Sequence, residues 1–222
     1  MRSALLLALG LLASLALAQT PIPSKIEGYP YGNPHAKVAL DVYYDLLCAD
    51  TKAFNPEFKD FLATKYDDKT YAEHLFIRLH IFPLPYHTNA FIASKLVPEL
   101  DRRFGAAGVY NYTDWMLENQ DRYLSPARDL SENEVVAKLC KEVGDASVPL
   151  TESQCKSVFL TRSTEMDTRI SWKFACANGI SGTPQVMIDG VNMGEPPMTA
   201  KAWTDYMSSF LDKTYSMHAR VY

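Results

Sequence analysis

The chain has 222 residues, 47% of them apolar, and a formal charge of −4 at pH 7. That supports a substantial core of one or two domains and gives no reason to expect nucleic acid or an anionic membrane as partner. The five histidines (35, 74, 80, 87 and 218) and four cysteines show no metal-ligand spacing, so no metal and no resident cofactor are expected.

Residues 1–18 read as a signal peptide. Arg2 supplies the basic start, Ala4 to Leu17 the apolar stretch, and Ala16-Leu17-Ala18 a small-x-small cleavage site. The stretch is short for a membrane span, so no membrane association is expected after cleavage. These features place the chain in the secretory pathway, with a lumenal or extracellular destination. Asn111-Tyr112-Thr113 is its one glycosylation sequon, which makes Asn111 a candidate glycan site.

Residues 19–36 are rich in proline and glycine and read as an extended lead-in. A strand is predicted over 37–44 and a helix over about 49–66, with Pro56 inside it and expected to kink it. Leu75 to Phe82 reads as a second strand, stopped by Pro83 and Pro85. Helical spacing then runs from Asn89 to about Phe104 and again from Thr113 to Tyr123. Two capping boxes, Ser131 to Glu134 and Thr151 to Gln154, open further helices, the second expected to run unbroken to Ala177 and stop at Asn178-Gly179. Gln185 to Ile188 and Val191 to Met193 flank Asp189-Gly190 and predict a hairpin. A last helix is expected from Thr199 to Leu211, and residues 213–222 are read as a tail. A β-α-β opening with parallel strands needs a right-handed crossover, giving a central sheet with helices on both faces.

The chemistry is expected at Cys48. It sits where the first strand gives way to a helix, and exposed N–H groups at such a helix start favour thiolate over thiol. The opposing reading is a small buried hydrophobe. Asp50 cuts both ways, since an acid suits the first turn but disfavours a nearby thiolate.

These features resemble the DsbA-like branch of the thioredoxin fold. The resemblance is carried by Tyr44-Asp45-Leu46-Leu47-Cys48 running into a proline-bearing helix, by Pro83-Leu84-Pro85-Tyr86-His87-Thr88-Asn89-Ala90, and by Gly179-Ile180-Ser181-Gly182-Thr183-Pro184 before the hairpin. It covers about residues 27–212. It implies an α/β, thioredoxin-like fold, with a β-α-β half over 37–86, a helical insertion over 87–177, and a β-β-α half over 178–212. The motif Cys48-Ala49-Asp50-Thr51 is similar to the Cys-x-Asp-Ser/Thr of a group of secreted eukaryotic thioredoxin-fold proteins.

The resemblance further implies that Thr183 and a cis Pro184 form a peptide-binding loop beside Cys48, where an extended client adds as a strand. Family oxidoreductases carry Cys-x-x-Cys, whereas Thr51 occupies the fourth position here. A lone cysteine restricts the chemistry to monothiol exchange, either isomerisation of wrong disulfides or removal of glutathione adducts. Catalytic roles fall to Cys48 and to Thr51, whose hydroxyl would donate to the thiolate. The expected partners are cysteine-containing secretory proteins or glutathione, the latter as co-substrate. The rival functions are a redox-inactive client-binding or chaperone module and, ranked last, a glutathione-dependent transferase or isomerase. Cys140 and Cys155, at the end of one helix and the start of the next, are expected to pair as a structural disulfide; Cys176 is read as packing or as a distant resolving thiol.

Overall fold

In a computed structural model of the chain, residues 25–219 are described, with side chains to residue 213. The signal-peptide reading lies outside the described residues. Among them, no helix is long and apolar enough to cross a membrane.

A five-stranded sheet occupies the centre. Its order is β1 (Tyr29–Gly32), β5 (Leu75–Ile81), β2 (Val38–Tyr44), β6 (Gln185–Ile188), β7 (Val191–Asn192). Strands β2 and β5 run parallel in register from Val38 opposite Leu75 to Tyr44 opposite Ile81, and β1 and β6 flank them antiparallel. The connection between the parallel pair contains α1 (Ala49–Ala63), a small hairpin of β3 (Lys65–Tyr66) and β4 (Lys69–Thr70), and the one-turn α2 (Tyr71–His74). The predicted helix thus ends a few residues early, and Thr64 to His74 form structure that the apolar pattern does not announce. Helix α1 continues through Pro56.

Strand β1 corrects the reading of residues 19–36 as lead-in. Pro30 and Gly32 are poor strand formers, but an edge strand needs only one row of backbone partners, and β5 supplies it.

The helical insertion comprises α3 (Ala90–Ser94), α4 (Val97–Asn119), α5 (Glu132–Glu142), α6 (Glu152–Phe159) and α7 (Arg162–Ala177). Here the helix boundaries differ from expectation. Pro98 falls in the first turn of α4, where its missing N–H costs nothing, rather than interrupting a helix. The two predicted helices over 89–104 and 113–123 are recut, so that half of the first and most of the second lie in α4. Gly105 joins its halves at φ 65°, a conformation that glycine alone adopts freely. Both capping boxes form, Ser131 with Glu134 and Thr151 with Gln154. The helix opened by the second stops at Phe159, and α7 starts anew after an extended Thr161.

Cys140 and Cys155 are disulfide-bonded across a separation of 15 residues and tie α5 to α6. Replacing both with alanine is expected to lower the unfolding free energy by about 3 kcal/mol, because the unfolded chain regains the entropy of an open loop. Urea titration of the variant against the oxidised parent measures it; an unchanged midpoint would mean that closing the loop gives no net stability.

Helix α8 (Ala200–Ala219) is the last described element and runs into the region read as a tail. Its Trp203, fully buried, stacks on Phe61 at 5.4 Å and meets Phe58 edge-on at 5.3 Å, which clamps α8 to α1. The sheet separates two apolar clusters. Leu40, Val42 and Tyr44 join the main one with Phe54, Phe58 and Trp203, while Tyr43 joins a smaller one with Phe82, Leu84, Ala175, Ile180 and Met187. Alternation along β2 therefore feeds two cores, one on each face.

Candidate active site

Cys48 is the N-cap of α1, in extended backbone conformation (φ −82°, ψ 126°), and its carbonyl accepts the first helical bond from Lys52 N at 3.0 Å. The residue is buried to 5% exposure. Its thiol donates to the carbonyl of Thr183, with Sγ 3.3 Å from the oxygen. The next peptide, Thr183–Pro184, is cis. Residues 135 apart in sequence are thus brought into direct contact, because β6 pairs with β2 and starts at Gln185, opposite Tyr43.

The loop carrying Thr183 is fixed at both ends. Gly179 terminates α7 at φ 77°, and Ile180 N returns to Ala175 O at 3.1 Å. Gln185 Oε1 accepts from the backbone N–H groups of Ser181 (2.9 Å) and Gly182 (3.1 Å).

Two side chains outside the expected set hold the Cys48 turn. Asp45 is fully buried; its carboxylate accepts from Leu47 N and Leu84 N, each at 2.7 Å, and lies 2.7 Å from His87 Nδ1. Burial pushes its pKa up, and the hydrogen bonds from Leu47, Leu84 and His87 only partly offset this. One carboxylate therefore joins the Cys48 turn to the Pro83-Leu84-Pro85-Tyr86-His87 segment. Gln120, buried at the end of the insertion's long helix, donates its amide to Leu46 O (3.3 Å) and Cys48 O (3.2 Å). No motif marks Gln120 in the sequence. An acid three residues before a candidate nucleophile was the available signal for Asp45.

Thr51 is fully buried one turn beyond Cys48, and its hydroxyl has no hydrogen-bond partner among the described residues. The expected bond from Thr51 to the Cys48 sulfur is therefore not made. The Thr183 hydroxyl is likewise buried without a partner among the described residues. Cys176, near the end of α7, is exposed, and partial burial of its sulfur raises the thiol pKa above the usual value. Asp50 is exposed. Asn111 is exposed on α4, while Thr113 of the same sequon is buried.

The arrangement provides a sulfur at a helix start, a backbone carbonyl that holds it, and a rigid loop alongside. It can present one thiol to one incoming sulfur. It has no second thiol within the Cys48 turn.

No family model matches the sequence, and no curated protein matches it. Solved structures do match. Chlamydia trachomatis DsbA superposes with a TM-score of 0.63 at 13% identity, covering 88% of this chain and 97% of its own. Pseudomonas aeruginosa DsbA2 gives a TM-score of 0.57 at 18% identity, covering 84% and 96%. A protein-disulfide isomerase from Novosphingobium aromaticivorans gives a TM-score of 0.56 at 14% identity, covering 76% and 89%. With the helical insertion between the two halves of the sheet and this coverage of both chains, the chain has the DsbA-like form of the thioredoxin fold.

Proposed function

We propose that this protein performs thiol-disulfide exchange through Cys48 alone, on cysteine-containing proteins of the secretory pathway or on their glutathione adducts. The observation that carries the reading is the contact of Cys48 Sγ with the carbonyl before Pro184, at the cap of α1. Deprotonated Cys48 attacks one sulfur of a client disulfide or client–glutathione disulfide. A bond forms between Cys48 and that sulfur, the original S–S bond breaks, and the other sulfur leaves as thiolate. With Thr51 in the fourth position, a second thiolate from the client or from glutathione must then attack the mixed disulfide and restore Cys48. Isomerisation by this route transfers no net electrons. Deglutathionylation consumes one glutathione and releases the client thiol and oxidised glutathione. Cys176, its thiol pKa raised, is the poorer candidate for the second attack. The exposed Asn111 is the proposed glycan site, attached before α4 forms, because Thr113 is buried afterwards.

A redox-silent client-binding role is favoured by one observation, the 5% exposure of Cys48. Incubation with a glutathionylated peptide, followed by mass spectrometry, separates the two. The expected product is a mixed disulfide on Cys48 that is absent from Cys48→Ser and disappears on adding reduced glutathione. An unmodified Cys48 would leave only the binding role.

A further inference from the structure

Four segments meet at the Cys48 turn, and their charges can be set out one by one. The loop from Gly179 to Pro184 carries no charged side chain. At the exit of β5, His87 faces the fully buried Asp45 at 2.7 Å. Beside Gln120, Asp121 pairs with Lys52 of α1 at 2.9 Å, and Arg122 turns to Glu142 at 3.6 Å. Asp50 is different: it is exposed in the first turn of α1 and forms no hydrogen bond or ion pair among the described residues.

An unpaired carboxylate two residues from the sulfur acts on whatever approaches it. Two residues of chain span at most about 7 Å, which is inside the screening length of about 8 Å at physiological ionic strength. The start of α1 offers roughly half a positive charge, and that is felt chiefly at the sulfur lodged on the cap. Side chains that flank an incoming cysteine lie farther out, where the full negative charge of Asp50 outweighs the half charge of the helix end. The neutral loop on the other side of Cys48 does nothing to cancel it.

We propose that Asp50 determines which disulfides Cys48 accepts. Those whose cysteine is flanked by lysine or arginine are preferred over neutral ones, and anionic ones come last. Glutathione, with two carboxylates and one ammonium, falls in the disfavoured class as the sulfur attacked. The inference rests on the exchange reading above and names its substrate class.

The test uses acetylated, amidated tripeptides Lys-Cys-Lys, Gln-Cys-Gln and Glu-Cys-Glu, each activated as its 2-pyridyl disulfide. The protein carries Cys176→Ser, so that Cys48 is its one free thiol. The Cys48 thiolate attacks the peptide sulfur, the S–S bond breaks, and the leaving sulfur takes up a proton as pyridine-2-thione, whose absorbance gives the rate. Dividing by the rate of 2-mercaptoethanol with the same peptide removes intrinsic differences in reactivity. At low salt the lysine peptide is expected to react at least ~5-fold faster than the glutamate peptide, with the ratio falling towards one in molar salt. In Asp50→Asn the low-salt ratio is expected to drop to ~2-fold or less. The ratio isolates selectivity, because any change in the thiolate content of Cys48 affects all three peptides equally. Equal rates in the parent, or an undiminished ratio in Asp50→Asn, would overturn the role of Asp50 while leaving the exchange reading intact. Failure of all three peptides, the neutral one included, to modify Cys48 would overturn both.

Discussion

Replacing Thr51 with cysteine is expected to let the molecule release a client from a mixed disulfide on Cys48 without an outside thiol, which is then needed only to reduce the new internal disulfide. The site is prepared for the exchange. Thr51 is fully buried in the first turn of α1, and its hydroxyl makes no hydrogen bond among the described residues that the substitution would break. A sulfur at that position, three residues after Cys48, can attack a mixed disulfide on Cys48. The client leaves reduced, and a disulfide between Cys48 and the introduced sulfur retains the two electrons' worth of oxidation. In an insulin-reduction assay driven by dithiothreitol, the parent should run close to the uncatalysed rate and the Thr51→Cys variant at least ~10-fold faster, because intramolecular resolution replaces a bimolecular step. If the variant keeps both of these thiols free after treatment with oxidised glutathione, residue 51 does not reach the Cys48 sulfur and the monothiol account loses its structural basis.

A loss of stability as large as that expected from removing the disulfide comes from Asp41. This carboxylate lies on the sheet face opposite the main core, directly across from Arg78 on β5. It accepts from Arg78 Nε and Nη2, both at 2.7 Å, and sits 2.8 Å from His80 Nε2. His80 is buried and stacked on Tyr43 at 4.5 Å and on Phe174 at 5.8 Å. Asp41→Asn removes the charge on which the guanidinium is forked. Breaking a buried pair in this way costs about 3–5 kcal/mol, and because the Arg78 side chain retains 26% exposure the lower end, about 3 kcal/mol, is expected.

The pH dependence of Asp41 follows from its own balance. Burial pushes its pKa up, but hydrogen bonds from His80 and Arg78, with their charges, outweigh this and hold it below the ordinary value. An acid with a lowered folded pKa contributes stability that is fully present above the unfolded value of about 3.9 and is lost as pH falls through the folded value. Glu99, paired with Arg102 and Arg103, is lowered as well and adds to the same loss. Urea midpoints of the parent should therefore drop on going from pH 5 towards pH 2, and those of Asp41→Asn should drop less. Parallel curves would show that the cluster is not the source of the acid sensitivity.

Much of the fold is written locally. The junction at Cys48, both capping boxes and the Asp189-Gly190 turn each depend on a few adjacent residues, and each forms. What escaped is what tertiary contacts decide. Strand β1 exists because β5 offers it a row of partners, not because Tyr29-Pro30-Tyr31-Gly32 favours extension. Apolar spacing could not foresee that Gly105 would let two helical stretches continue as one, nor that Leu160, left 88% exposed, would mark a break between α6 and α7. Around the candidate site the same division holds. Cys48 and the Gly182-Thr183-Pro184 loop carry local signatures, whereas Gln120 and the Asp45–His87 pair acquire their places only when distant segments meet.

Gln120 has a consequence for how the molecule can be cut. Its single amide spans two carbonyls of the Cys48 turn, and Asp45 reaches from that turn to His87 at the insertion's first residue. A minimal version pruned to the two thioredoxin-like halves would expose the Leu46 and Cys48 oxygens to water and strip one of three donors from a buried anion. The helical insert is a wall of the candidate site, and a miniature lacking it would keep the topology while losing the posture of its sulfur.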